Sequence, residues 1–243
     1  MNLQNERLAV VMPVYNEAEI VASVLQKWRD ELERLCIDYH IHVYNDGSRD
    51  NTLSVLQQAA AIIGPRIVVH DQKNAGHGPT ILRGYRDNCS SADWIFQIDS
   101  DDEMEPSHFG ALWNNRENYD FLLGVRGGRR QPLPRKLVTL VSRKTVNLFY
   151  GNGINDVNSP YRLMRCSVFK SLYSQIPDDT FAPNLIISGM AAKNITRCFQ
   201  SLVPQRERHT GEVSIKRWRL FKAAVRSLVQ TISFSIKKTY QSR

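Results

Sequence analysis

The stretch that decides the fold is "WIFQIDSDDEMEP", residues 94–106. An apolar run ends in Asp99, Asp101, Asp102 and Glu103, four acids within five positions, shortly before Pro106. The run reads as a buried strand, and the proline as the first turn of a following helix. Like charges this close repel one another, so the strand end needs positive charge nearby. In extended chain, residues two apart point the same way, which lets Asp99 and Asp101 converge. Converging carboxylates form a hard oxygen site suited to Mg²⁺ or Mn²⁺, with phosphate oxygens completing the shell. The same residues also suit a solvated acidic turn, with Asp102 and Glu103 serving a helix N-terminus.

Outward from this strand the front of the chain alternates. LAVVMPV (8–14), HIHVY (40–44), RIVVH (66–70), WIFQI (94–98) and FLLGV (121–125) read as strands. Between them lie helical spacings: 17–35, a segment through Ala61 capped by Asp50 or Ser48, and Gly78–Asn88. This order implies an α/β fold, a mainly parallel sheet flanked by helices. Ligands of such sheets bind beyond the carboxyl ends of the strands. There the sequence offers PVYNE (13–17), NDGS (45–48), DQKNAGHG (71–78) and the acidic cluster, four loops expected on one rim. PVYNE is not a GxGxxG turn, so a dinucleotide site is disfavoured. Asp46 suits either a ribose contact or an Asx-turn with Gly47.

The back half is less regular. "RGGRRQPLPRK" (126–136) is expected to be a mobile loop, followed by a helix to Tyr150. "NGINDVNSPYRLMR" (152–165) reads as turn then strand, and Pro183 opens another helix. In the tail, Ile215, Trp218, Phe221, Val225, Leu228, Ile232 and Ile236 fall on one helical stripe, with Lys216, Arg217, Arg219, Lys222 and Arg226 on other faces. One domain is expected over 1–213, with a nucleotide-binding half (1–125) and an acceptor half (126–213). An amphipathic basic helix over 214–243 completes it.

Charge divides along the same line. Of 243 residues, the first 125 hold 10 Lys and Arg against 19 Asp and Glu; the remainder hold 22 against 5. The basic half suits an anionic partner: nucleic acid, phosphorylated lipid or an anionic membrane face. Aromatic–basic interleaving is lacking, which argues against nucleic acid. No run of about 18 apolar residues predicts a transmembrane span, and MNLQNERLAVV does not read as a secretion signal. Cys36, Cys89, Cys166 and Cys198 are widely spaced and read as reduced thiols of a cytosolic protein, not as a zinc or disulfide framework.

PVYNE, NDGSRDNT, KNAGHG and IDSD, in that order after four successive strands, resemble glycosyltransferase family 2 on a GT-A fold. The resemblance covers about residues 8–125. "PRKLVTLVSRKTVN", "DVNSPYRLMR" and "RERHTGEVSI" continue it toward the dolichol-phosphate mannosyltransferase and polyprenyl-phosphate glycosyltransferase branch. It implies an inverting, metal-dependent enzyme using a UDP- or GDP-linked sugar and Mn²⁺ or Mg²⁺. By position, Pro13, Tyr15, Glu17 and Asp46 would hold base and ribose, with Asn74 and Ser100 beside the nucleotide. Asp99 would face nucleotide and sugar, and Asp101 would bind metal and diphosphate. Glu103, where the branch often places a Gln, would be a third metal ligand. Arg126, Arg135, Ser159, Arg162 and Arg206 would meet an acceptor phosphate.

Two acceptors fit. A polyprenyl phosphate needs cations; a saccharide hydroxyl needs a base, for which Asp178 or Asp179 in "IPDDTFAPN" is available. Outside the enzyme class stands a non-catalytic basic adaptor on a nucleotide fold. A nucleotidyltransferase would want a Gly-rich basic loop where PVYNE stands. The tail helix is expected to pack on the domain, to pair two copies as a homodimer, or to lie on anionic lipid. The location expected is cytoplasmic, peripheral to the inner membrane face.

Overall fold

The computed structural model describes residues 6–127, 133–194, 197–206 and 217–241. Seven strands form one sheet in the order β3-β2-β1-β4-β6-β5-β7. They are β1 (Arg7–Val14), β2 (Asp38–Asp46), β3 (Ile67–Gln72), β4 (Trp94–Gln97), β5 (Phe121–Gly127), β6 (Arg162–Arg165) and β7 (Cys198–Pro204). β1 pairs in parallel with β2 and β4, β2 with β3, and β5 with β7. β6 runs antiparallel between β4 and β5. Inserting it leaves the six other strands pointing one way, so their carboxyl ends share a rim.

The helices are α1 (Val21–Arg34), α2 (Thr52–Ile63), α3 (His77–Asn88), α4 (Phe109–Trp113), α5 (Leu133–Phe149), α6 (Cys166–Gln175), α7 (Pro183–Asn194) and α8 (Arg217–Gln241). β1 is buried along both faces, which is why it reads as a continuous apolar run. Leu8, Val10 and Met12 join Trp28, Phe96 and Phe109 in one core; Ala9 and Val11 join Ile81, Tyr85 and Ile186 in the other. The sheet separates the two cores, so both must be covered by helices. α1 begins at Val21, four residues later than its spacing predicts, because Asn16 takes a positive φ of 54° and turns the chain. Asp50 accepts the amide of Thr52 at the start of α2, whereas Ser48 bonds Asn45 and the amide of Asn16.

Of the Gly-, Pro- and Arg-rich run expected as a loop, residues 126–127 end β5 and 133–136 open α5, while 128–132 lie outside the described residues, as does "RERHTGEVSI" beyond Arg206. Along α8 the stripe is split: Val225 and Ile236 are exposed and Leu228 and Ile232 partly buried, while Ser227, Thr231, Phe234 and Ser235 are buried. Tyr150 donates to the carbonyl of Thr231 at 2.6 Å, and Ser235 to that of Phe149 at 2.9 Å.

At the β2–β3 edge, His42 Nδ1 lies 3.2 Å from His70 Nε2, and His70 stacks on Tyr44. Burial, with His70 and His40 adding to it, lowers His42 from 6.5 to about 4. Burial lowers His70 as well. Below pH 6.5 the unfolded chain takes up a proton that folded His42 refuses, so stability falls with pH until about pH 4. The loss from His42 is about 3 kcal/mol at ~1.4 kcal/mol per unit. Denaturant titrations across this range should show it, and His42→Gln should flatten the dependence. An unchanged slope in the variant would contradict the assignment.

Candidate functional site

The rim is built as a chain of contacts between loops. Asn16 accepts the amide of Arg49, and its own amide donates to Ser48; the amide of Glu17 donates to Thr52. These bonds fasten the first loop to the second. Pro13 is buried at the end of β1, while Tyr15 and Glu17 are partly exposed beyond it. Asp46, 4% exposed, accepts the amides of Ala75 and Gly76 at 2.7 and 2.9 Å, and Gln72 Nε2 at 2.9 Å. Asn74 donates to the carbonyl of Asp46. The carboxylate of Asp46 therefore first holds the third loop against the second. Gly47, at φ +64°, admits this closeness: a Cβ there would lie 2.6 Å from the Asn74 nitrogen.

Beyond β4 the acidic cluster spreads apart. Asp102 adopts φ 55° and turns to Lys27 on α1. Glu103 is buried, accepts the side-chain amide of Gln205, and gives its carbonyl to the amide of Arg206. Arg206 itself pairs with Glu105. Among the described residues no three His, Cys, Asp or Glu groups converge to hold a metal ion. Glu103, expected as a third metal ligand, here bonds Gln205. Asp99 and Asp101 remain partly exposed at the strand end, with Ser100 buried between them. Asp101 accepts the amide of Glu103 at 3.2 Å, and His77 Nε2 stands 3.7 Å from Asp99. Two adjacent carboxylates are the donor set of a hard cation that also takes phosphate oxygens, so this pair fits Mn²⁺ or Mg²⁺.

Asp99 is oriented from beneath. Gln97 is fully buried; its Oε1 receives Tyr85 Oη at 2.7 Å and Asn184 Nδ2 at 2.8 Å. That fixes the amide so that Nε2 donates to Asp99 Oδ1 at 3.2 Å. A flipped amide would set oxygen against an ionised carboxylate. The sequence hides this device, because Gln97 reads there as one polar residue in an apolar strand.

Positive charge arrives from β5. Arg126 grips Asp156 through Nε and Nη2 at 2.7 and 2.8 Å. Burial opposes its charge, yet the Asp156 carboxylate outweighs that and raises Arg126 above the ordinary guanidinium value; Asp99 and Glu103 add to the rise. The acidic cluster thus has its counter-charge within the fold, in Lys27, Arg126 and Arg206.

The acceptor residues expected from sequence divide. Arg126 and Arg206 reach the rim. The side chain of Arg135, in α5, lies outside those described. Ser159 and Arg162 are both 0% exposed, with their polar atoms bonded inside the fold. Ser159 Oγ donates to the carbonyl of Gly124 and accepts the amide of Tyr161. Arg162 donates to the carbonyls of Ser159, Val157 and Asn184 and to Ser188 Oγ. Burial lowers it to about 10, leaving it a cation at neutral pH. Neither side chain reaches an acceptor in this arrangement. Asp178 pairs with Arg86, and Asp179 with Arg226 on α8 at 2.8 Å; both acids are largely exposed. The segment they lead packs against α3 at Gly78, where a Cβ would collide with the carbonyls of Thr180 and Phe181.

A mixed sheet with this strand order, a paired-aspartate end to β4 and zipped loops on one rim is the GT-A class of nucleotide-binding fold. Residues 9–173 match the family described as Glycosyl transferase family 2, and the chain belongs to that family. Among curated relatives, an undecaprenyl-phosphate 4-deoxy-4-formamido-L-arabinose transferase of Pseudomonas fluorescens (strain SBW25) is 27% identical over 88% of this chain and 61% of its own length. The Serratia proteamaculans (strain 568) transferase of that name is 27% identical over 74% of this chain and 55% of its own. The chain therefore spans little more than half the length of these relatives. Among solved structures, mannosyl-3-phosphoglycerate synthase from Rubrobacter xylanophilus superposes with a TM-score of 0.70 at 16% identity, covering 96% of this chain and 75% of its own. Glucosyl-3-phosphoglycerate synthase from Mycobacterium tuberculosis, solved with Mn²⁺, UDP and glucosyl-3-phosphoglycerate, gives 0.66 at 16% identity, covering 94% and 80%. These likenesses establish the fold.

Proposed function

We propose that this chain moves a sugar from a nucleotide-diphospho-sugar to a polyprenyl phosphate, with inversion at the anomeric carbon. The observation that carries the reading is the pair Asp99 and Asp101 at the β4 end, on a rim where Arg126 supplies cationic charge. Support comes from relatives named for an undecaprenyl-phosphate acceptor and from a neighbour solved with Mn²⁺ and UDP.

In this reading Pro13, Tyr15, Glu17, Asp46 and Asn74 line the nucleoside, and Asp99, Ser100 and Asp101 meet the diphosphate. Asp99 and Asp101 would hold Mn²⁺ or Mg²⁺, which supplies charge stabilisation to the departing diphosphate. A phosphate acceptor is ionised near neutral pH, its second pKa being about 6, so it needs cations and no base. Arg126 keeps Nη1 beyond its two bonds to Asp156, and Arg206 stands half-exposed beside it on the rim. A saccharide hydroxyl would instead need a carboxylate base, and Asp178 and Asp179 are committed to arginines. The reaction is placed at the cytoplasmic face of the membrane.

A screen of nucleotide-sugars with Mn²⁺ tests the reading. One donor should be cleaved slowly, and polyprenyl phosphate should accelerate it. Failure of every donor, or acceleration only by saccharides, would overturn it. Gln97→Met refines the test. Tyr85 Oη keeps Asn184 Oδ1 at 3.0 Å while Asn184 Nδ2 loses its acceptor, so a thermal midpoint is read beside the affinity. Asp99 loses its donor, and calorimetry should read UDP–Mn²⁺ affinity about tenfold weaker, the worth of a hydrogen bond to a charged group. Unchanged affinity would remove Gln97 from this part.

A further inference from the structure

Helices α5 and α8 carry ten Lys and Arg between them and no Asp or Glu. They also pack together, through Tyr150 on Thr231 and Ser235 on Phe149. Two touching helices of one sign repel each other and gain from an anionic partner. Each helix gives the core an apolar residue, Val146 on α5 and Phe234 on α8, and leaves others outward. α8 leaves Val229 57% and Ile236 53% exposed. On α5, Leu148 is 79% exposed, with Leu140 and Val141 also outward. Apolar side chains clustered outside a packed core mark an interaction surface.

We propose that the outer faces of α5 and α8 form a docking surface for a bilayer containing anionic lipid. The cations lie among the apolar side chains: Lys222 and Arg226 flank Val225 and Val229 along α8, and Arg143 and Lys144 stand between Leu140 and Leu148 on α5. Arg226 is partly neutralised by Asp179; Arg143, Lys144 and Lys222 are exposed on the same two helices. Apolar groups enter the headgroup boundary while cations meet lipid phosphates, the arrangement of an interfacial helix. Among the described residues no helix is long and apolar enough to cross the membrane, so the contact is along the surface. A second copy fits poorly, since matched packing would set the exposed Arg143, Lys144, Lys222 and Arg226 against their own copies. Nucleic acid would leave Leu148 and Val229 with nothing to bury against. The inference stands apart from the sugar-transfer reading, and bears on where that chemistry would occur.

The experiment is co-sedimentation with phosphatidylcholine vesicles, with and without phosphatidylglycerol. Wild type should pellet with the mixed vesicles, bind neutral ones about tenfold more weakly, and lose affinity as salt is raised. The double variant Val225→Asp, Val229→Asp changes only exposed positions and should abolish pelleting while leaving the thermal midpoint and UDP–Mn²⁺ calorimetry as in wild type. No pelleting of wild type, equal binding to neutral vesicles, or a wild-type dimer in light scattering that the double variant dissociates would each overturn the proposal. Unchanged UDP–Mn²⁺ binding beside failed pelleting would leave the transferase reading intact.

Discussion

Replacing Arg162 by methionine should lower the thermal midpoint by about 10 °C, the shift expected for a loss of about 4 kcal/mol in a domain of this size. The side chain is fully buried and donates to three main-chain carbonyls and Ser188 Oγ. Methionine fills the place of its aliphatic stem and offers no donor. The carbonyls of Val157, Ser159 and Asn184 then lose their guanidinium partner in a dry interior, where each unmet acceptor costs about 1–3 kcal/mol. Arg162→Lys keeps the charge but has only three donors on a single atom, and should fall between. These carbonyls lie in the connection before β6 and at the start of α7, which carries Asn184 beneath Gln97. Scanning calorimetry reads the midpoint. A normal midpoint with a raised KM for a phosphate acceptor would restore Arg162 to the substrate and contradict this account.

Asp101→Ala should reduce donor turnover on the order of a hundredfold, the usual cost of removing one group that stabilises developing charge. Asp102 is tied to Lys27 and Glu103 to Gln205, while Asp99 and Asp101 stand partly exposed at the end of β4. The alanine variant should keep its fold by circular dichroism, because Asp101 is partly exposed at the strand end. A lost activity with a kept fold is the expected pair of readings. Equal turnover in variant and wild type would remove Asp101 from its assigned place.

The two predictions also mark where sequence reasoning succeeds and fails. The front of the sheet was legible because its strands are apolar runs and its loops carry distinctive residues in order. β1 to β4, the shared rim and the paired aspartates follow from pattern alone. Side-chain direction does not. Arg162 and Ser159 are expected as acceptor ligands from the resemblance carried by "DVNSPYRLMR"; in the structure the chain turns inward before β6 and the guanidinium serves carbonyls. Glu103 looks like a third ligand until β7, a hundred residues away, brings Gln205 beside it. Gln97 carried no signal, since its task depends on Asn184 arriving from α7. The α8 stripe was visible, but periodicity gives the existence of a face and not which way it points. Long-range pairing decides each of these, and short windows of sequence do not contain it.

The central claim is that Asp99 and Asp101 anchor a cation-bound diphosphate at the end of β4. Anomalous diffraction at the manganese edge, from crystals grown with UDP and Mn²⁺, tests it most directly. One anomalous peak contacting the Asp99 and Asp101 carboxylates, with the diphosphate against it and the uracil beside Tyr15, is the result expected. Manganese and UDP bound elsewhere, with those two carboxylates untouched, would contradict it.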